Sequence, residues 1–74
     1  MAIGSDLQIW DITLKGEPYI LVGDKHDGAI TTRERFANFD ESVAHLYSDG
    51  NVYRLGAPIG TRDDIVFIGL VEDL

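Results

Sequence analysis

The chain has 74 residues, no cysteine, and 13 acidic residues against 6 lysines and arginines, which gives a net charge of −7. This length has room for one domain, residues 1–74, with one core, and the lack of cysteine excludes disulfides and thiolate metal sites. The negative charge argues against direct binding of DNA or RNA, because such proteins neutralise phosphates with Lys and Arg.

The first elements predicted are a hairpin and a short third strand. Alternating apolar residues predict a strand over 7–14, whose buried face is formed by Trp10, Ile12 and Leu14. The turn residues KGEP follow, with Pro18 at the start of a second strand over 19–23, and the two strands should pair antiparallel. Residues 29–36 predict a short third strand because Ile30, Thr31 and Thr32 are β-branched, although the RER segment would equally suit an exposed helix.

One helix is predicted, over residues 40–48. Asp40 can cap its first turn, Glu41 suits the positive end of the helix dipole, and Gly50 fits just past its end. His45 follows Glu41 by one turn, so the two should form a side-chain pair. One helix face would be apolar, with helical spacing among Phe39, Val43, Leu46 and Tyr47.

Two further strands are predicted, over 51–56 and 65–71. The intervening residues 57–64 should form a loop because Pro58 and Gly60 disfavour a regular strand. The second run, IVFIGLV, is apolar on both faces, which indicates either a central place in the sheet or a subunit interface. The predicted fold is α+β, a small two-layer domain with one short helix on a mainly antiparallel sheet of four or five strands, in the order β-β-(β)-α-β-β.

The segment GDKHDG, residues 23–28, places Asp24, His26 and Asp27 within four positions. These side chains could converge on a metal ion, but the segment lacks the ordered pattern of a calcium loop and the further His or Cys of a zinc site. Gly and Asp are also the residues of tight turns. The sequence therefore favours a turn, with a metal site as the alternative.

Two segments resemble each other, ITTRER at 30–35 and IGTRDD at 59–64. Both read Ile, any residue, Thr, Arg, acid. So short a match in common residues is explained by chance more readily than by duplication.

The candidate contact residues are charged or aromatic. Acidic residues come in pairs that could imitate phosphate spacing, although capping and solvation are their ordinary roles. Arginines could hold a carboxylate or phosphate, although salt bridges are commoner. Any of Trp10, Tyr19, Tyr47 and Tyr53 that proved exposed beside the acids would mark a contact surface. The predicted interaction set is Asp40, Glu41, Asp63, Asp64, Arg33, Arg62 and Tyr53.

No catalytic triad, phosphate loop or nucleotide fingerprint occurs, so we expect a non-enzymatic protein without cofactor. Lacking an apolar run of about 18 residues and a signal-like start, it should be cytoplasmic and without membrane contact. The profile predicts an acidic interaction module, by analogy an inhibitor of the kind that phages and mobile elements use, which covers a basic nucleic-acid-binding site on a partner protein. The alternatives are a homodimer through residues 65–71 and a small-ligand or metal-binding domain.

Overall fold

A computed structural model describes residues 8–72 as one sheet of seven strands with one short helix. The elements in chain order are β1 (Gln8–Leu14), β2 (Glu17–Gly23), β3 (Gly28–Thr31), α1 (Arg33–Ala37), β4 (Ala44–Leu46), β5 (Asn51–Arg54), β6 (Ala57–Thr61) and β7 (Ile65–Leu70). A 3₁₀ turn, Arg62–Asp64, joins β6 to β7. Every strand pair is antiparallel, in the order β6-β5-β4-β3-β2-β1-β7.

The sheet curls into a half-barrel. Strands β6 and β7 stand at opposite ends of the strand order, yet the connection between them is only three residues long. So short a connection is possible only if the two ends of the sheet approach each other. The backbone N–H of Lys15, at the end of β1, donates to the carbonyl of Asp64 at 3.1 Å and extends the β1–β7 pairing into the 3₁₀ turn.

The concave side of the sheet holds the core. Strand side chains alternate between the two faces, and one face of each strand points inward. Trp10 packs edge-to-face against Phe67, with ring centres 5.8 Å apart, along the margin of this core. The buried residues of the core cluster are Ile12, Leu14, Leu21, Ile30, Ala44, Leu46, Val52 and Ile65. The predicted hairpin is confirmed, since β1 and β2 pair along their length; Leu7, at the start of the predicted strand, lies outside the described residues.

The predicted two-layer α+β architecture is wrong. The sheet has seven strands rather than four or five, and its core is enclosed by its own curvature. Helix α1 has five residues and buries none of them, so it does not form a second layer. It begins where the third strand was predicted to continue: the Thr32 side chain accepts a hydrogen bond from the backbone N–H of Arg35 and ends β3 at Thr31.

The predicted helix over 40–48 is also wrong, because its middle is strand β4. Ala44 and Leu46 are buried and His45 between them faces outward, a period of two that the three-residue strand was too short to reveal. Pairing with both β3 and β5 outweighs the local helix signals. Gly50, expected at the helix end, lies in the β4–β5 turn with a φ of 92°.

Two further expectations about the C-terminal part are wrong. Residues 57–61, predicted as loop, form β6, where Pro58 is tolerated because β6 is an edge strand. Strand β7 is not central but ends the sheet next to β1. The β7 side chains of Val66, Ile68 and Leu70 are consequently exposed.

The two similar segments make similar corners. In each, a threonine at the end of a strand caps the turn that follows: Thr32, just after β3, caps α1, and Thr61, the last residue of β6, accepts from the backbone N–H of Asp63 in the 3₁₀ turn. A shared corner geometry is sufficient to explain the shared letters. No helix within residues 8–72 has the length and apolar character needed to cross a bilayer.

Candidate protein-interaction site

The GDKHDG segment is a turn, as predicted. The Asp24 side chain accepts from the backbone N–H of His26 at 2.8 Å, and the backbones of Asp24 and Asp27 bond to each other at 3.1 and 3.3 Å. The Asp27 carboxylate instead lies 2.9 Å from Nε2 of His45. Within residues 8–72 no group of three or more His, Asp or Glu side chains is arranged to hold a metal ion.

His45 therefore has a different partner from the one predicted. It lies on β4 rather than on a helix, so Glu41 is not its neighbour at one helical turn. In this contact the His45 side chain is 38% exposed and the Asp27 side chain is 55% exposed. An exposed pair of this kind orients the imidazole more than it stabilises the fold.

The predicted arginines are both tied to the protein itself. Arg33 forms an ion pair with Asp11, 2.6 Å from Nη2 to Oδ1. Arg62 donates from Nη2 to the carbonyl of His26 at 3.1 Å and from its backbone N–H to Gly50 at 2.7 Å. The two residues thus have separate partners, and Arg62 fastens the GDKHDG turn and the β4–β5 turn to the 3₁₀ turn.

The predicted acids divide into structural and exposed groups. Asp64 accepts from the backbone N–H of Thr61 at 2.9 Å and completes a capping box, so its carboxylate serves the 3₁₀ turn. Asp63, Asp40 and Glu41 are exposed. The sequence has a third pair of adjacent acids, Glu72 and Asp73; Glu72 is exposed, and Asp73 lies outside the described residues.

A row of side chains crosses the outer face of the sheet from β2 to β5. The register places Val22 opposite Ala29, Ala29 opposite His45, and His45 opposite Tyr53. Tyr47 joins the row at its β5 end, with its ring centre 4.5 Å from that of His45 and 5.6 Å from that of Tyr53. Tyr47 is 45% exposed, which meets the condition set above for an aromatic contact residue.

One groove opens at the β5 end of this row, and we call it the tyrosine groove. It has a volume of about 460 Å³ and is lined by Tyr47, Ser48, Asp49, Tyr53 and Gly56. Asp49 is exposed, and one of its carboxylate oxygens accepts from the backbone N–H of Asn51 at 2.9 Å. The lining therefore combines two aromatic rings with a fixed carboxylate and contains no lysine or arginine.

A second groove opens at the β2 end of the row, and we call it the phenylalanine groove. It has a volume of about 480 Å³, with Val22 and Ala29 of the row on its floor and the α1 region on its side. The hydroxyl of Thr31, another lining residue, is buried without a hydrogen-bond partner. The other lining residues are Phe36, Ala37, Phe39, Asp40 and Ser42.

Beside each groove stands a large apolar residue that is almost fully exposed. Leu55 is 99% exposed and Phe39 is 96% exposed. Leu55 and Gly56 form the two-residue tip of the β5–β6 hairpin, with φ of 53° and 84°, values typical of a type I′ turn, which favours Asn and Gly. No burial compensates for the strain at Leu55.

Phe39 is in an equally unfavourable position. It follows α1 with a φ of 58°, its N–H bonds to the carbonyl of Phe36, and the N–H of Asp40 bonds to that of Arg35. These two bonds define a Schellman motif, whose left-handed residue is usually glycine. Two bulky apolar residues thus occupy backbone positions that favour Gly or Asn, and both face solvent.

Comparison with known proteins adds no assignment, because no protein-family model, curated protein or solved structure matches the chain. Among the predicted contact residues, the structure places Tyr53 and Asp40 on the grooves. Sequence reasoning missed Leu55 and the role of Phe39. The signal for Leu55 was the recurrence of an x-Gly-x-Pro pattern, in KGEP and again in LGAP.

Proposed function

We propose that the chain is a non-enzymatic, acidic protein-interaction module that binds a basic surface on another protein through the tyrosine groove. The observation that carries this proposal is Leu55, a fully exposed leucine held at positive φ next to the groove. Lysine occupies the same conformation at the other hairpin tip, Lys15, so the turn does not require an apolar residue, and a bulky apolar side chain held there without burial points to another role. Tyrosine is enriched in interfaces and their hot spots, and the exposed leucine adds apolar area to the surface beside the two tyrosines.

The proposed mechanism is steric and electrostatic. With a net charge of −7, the protein attracts a basic partner and accelerates the encounter. Once bound, it covers the basic surface and competes with any nucleic acid that the partner holds there. We place the module in the cytoplasm, since a fold without cysteine suits a reducing compartment.

The test is affinity capture from the source cells with matched variants. A partner of this site should be retained by the wild type and lost with Leu55→Lys, which copies the lysine of the other hairpin tip, where Lys15 has a φ of 52°. Asp63→Asn serves as the control, because Asp63 is exposed and lies outside both grooves. Retention should also weaken steeply as salt is raised above about 0.1 M. A partner held equally by Leu55→Lys, or indifferent to salt, contradicts the proposal.

A second candidate function is self-association through β7. Its support is the exposed apolar side chains of β7, where Val66 is 60%, Ile68 65% and Leu70 48% exposed. Within residues 8–72, only β1 pairs with β7, so its other edge is open. Sedimentation at micromolar concentration should then show a dimer that Ile68→Lys dissociates, whereas a monomeric wild type removes this candidate.

A further inference from the structure

We propose that the two grooves form one bivalent site, in which each groove takes one arginine or lysine side chain of the same basic partner. This inference rests on the proposed function and specifies its partner: a protein segment with two basic side chains about 14 Å apart, given the spacing of strands in a sheet.

The two grooves have the same chemistry although they are built from different elements. The tyrosine groove combines two aromatic rings with Asp49 and Ser48. The phenylalanine groove combines two aromatic rings, Phe36 and Phe39, with Asp40 and Ser42. Neither lining contains a lysine or an arginine.

This combination fits a long cationic side chain. The aliphatic stem of arginine or lysine can lie along the apolar wall while its charged end reaches the rim. There the charge meets a carboxylate, Asp40 or Asp49, and the faces of aromatic rings, which attract cations. An uncharged apolar side chain would fill the walls but leave the carboxylate without a partner.

The spacing of the two grooves follows from the sheet register. Val22, on the floor of the phenylalanine groove, and Tyr53, in the tyrosine groove, are linked through Ala29 and His45 in one row. Three strand spacings of about 4.8 Å separate them, which gives roughly 14 Å. His45 lies between the two grooves, and Nε2 of its imidazole is already in contact with the Asp27 carboxylate.

A second copy of this chain does not fit as the occupant of the two grooves. Each copy carries 13 acidic residues against 6 lysines and arginines, so its surface is mainly of the same sign as the grooves. Three of its arginines already have contacts within the chain, Arg33 with Asp11, Arg35 with the carbonyl of Glu41 and Arg62 with that of His26. A basic partner of another sequence supplies the missing cations.

The experiment compares two peptides of identical composition. One has two arginines separated by three serine residues, so that in an extended peptide both side chains lie on the same face about 14 Å apart; the other has the two arginines adjacent. Both are titrated into the wild-type protein by calorimetry at about 0.15 M salt, and nitrogen-15 spectra identify which groove responds. We expect the separated peptide to bind about tenfold or more tightly, with shifts in both grooves.

Variants separate this inference from the proposed function. Phe39→Gly removes the ring at a position that suits glycine, and Asp40→Asn removes the charge. Each substitution should lower the affinity for the peptide with separated arginines to that for the peptide with adjacent arginines. Asp63→Asn should leave the difference unchanged. If both peptides bind equally and cause shifts in the tyrosine groove only, the bivalent site is overturned and the proposed interaction function stands. If neither peptide causes shifts in the tyrosine groove, both proposals fail.

Discussion

Replacing Leu55 by asparagine should make the protein more stable. The residue sits at the hairpin tip with a φ of 53° and is 99% exposed, so its side chain contributes no burial that the substitution could remove. A left-handed conformation costs a residue other than glycine about 1–3 kcal/mol, and asparagine is among the residues that adopt it most readily. We expect a gain of about 1 kcal/mol, which raises the Tm of a domain of this size by about 4–8 °C.

The assay is thermal and urea unfolding of the wild type and two variants. Lys15→Asn is the matched control, because Lys15 has nearly the same φ, 52°, at the other two-residue tip and is exposed. Both substitutions should stabilise by a similar amount, and only Leu55→Asn should weaken partner binding. A Leu55→Asn variant that is less stable than the wild type would mean that the leucine supports the fold, and the reasoning from strain to function would be refuted.

Two more stability predictions test local features. Gly28→Ala should destabilise the protein by about 1–3 kcal/mol in urea unfolding, because an added Cβ would lie 2.7 Å from the backbone oxygen of Val22. Gly69→Ala is the control: its added Cβ would meet nothing within 4 Å, so the free energy of unfolding should change little. Asp64→Ala should cost about 1 kcal/mol by removing the acceptor for the Thr61 N–H. A neutral result for Asp64→Ala in thermal unfolding would contradict its capping role.

How far the fold could be predicted depended on the range of the interactions. The β1–β2 hairpin was predictable because its alternation and its KGEP turn are local. Strand β4 was not, since three residues between partners distant in sequence show no period, and Asp40, Glu41 and Gly50 are typical helix-end residues. Strand β6 was missed because Pro58 and Gly60 disfavour a regular strand, whereas β6 lies at the edge of the sheet, where proline is tolerated.

The candidate site was predictable only in part. Tyr53 and Asp40 were predicted from residue type, and the structure places both on the grooves. Phe39 was not identified, because a sequence pattern assigns large apolar residues to the core, whereas this one is exposed. Leu55 was missed for the same reason, although the likeness of LGAP to KGEP was a local signal for a hairpin tip. The contact of His45 with Asp27 depends on the β3–β4 pairing and was equally hidden.

The most direct test of the central claim is a nitrogen-15 titration of the protein with N-acetyl-arginine amide and with its uncharged analogue, N-acetyl-citrulline amide. If the tyrosine groove recognises a basic side chain, the arginine compound should shift the amides of Tyr47, Ser48, Asp49 and Tyr53 in a saturable way, and the citrulline compound should not. Equal shifts with both compounds, or shifts spread over the acidic surface outside the grooves, would contradict it.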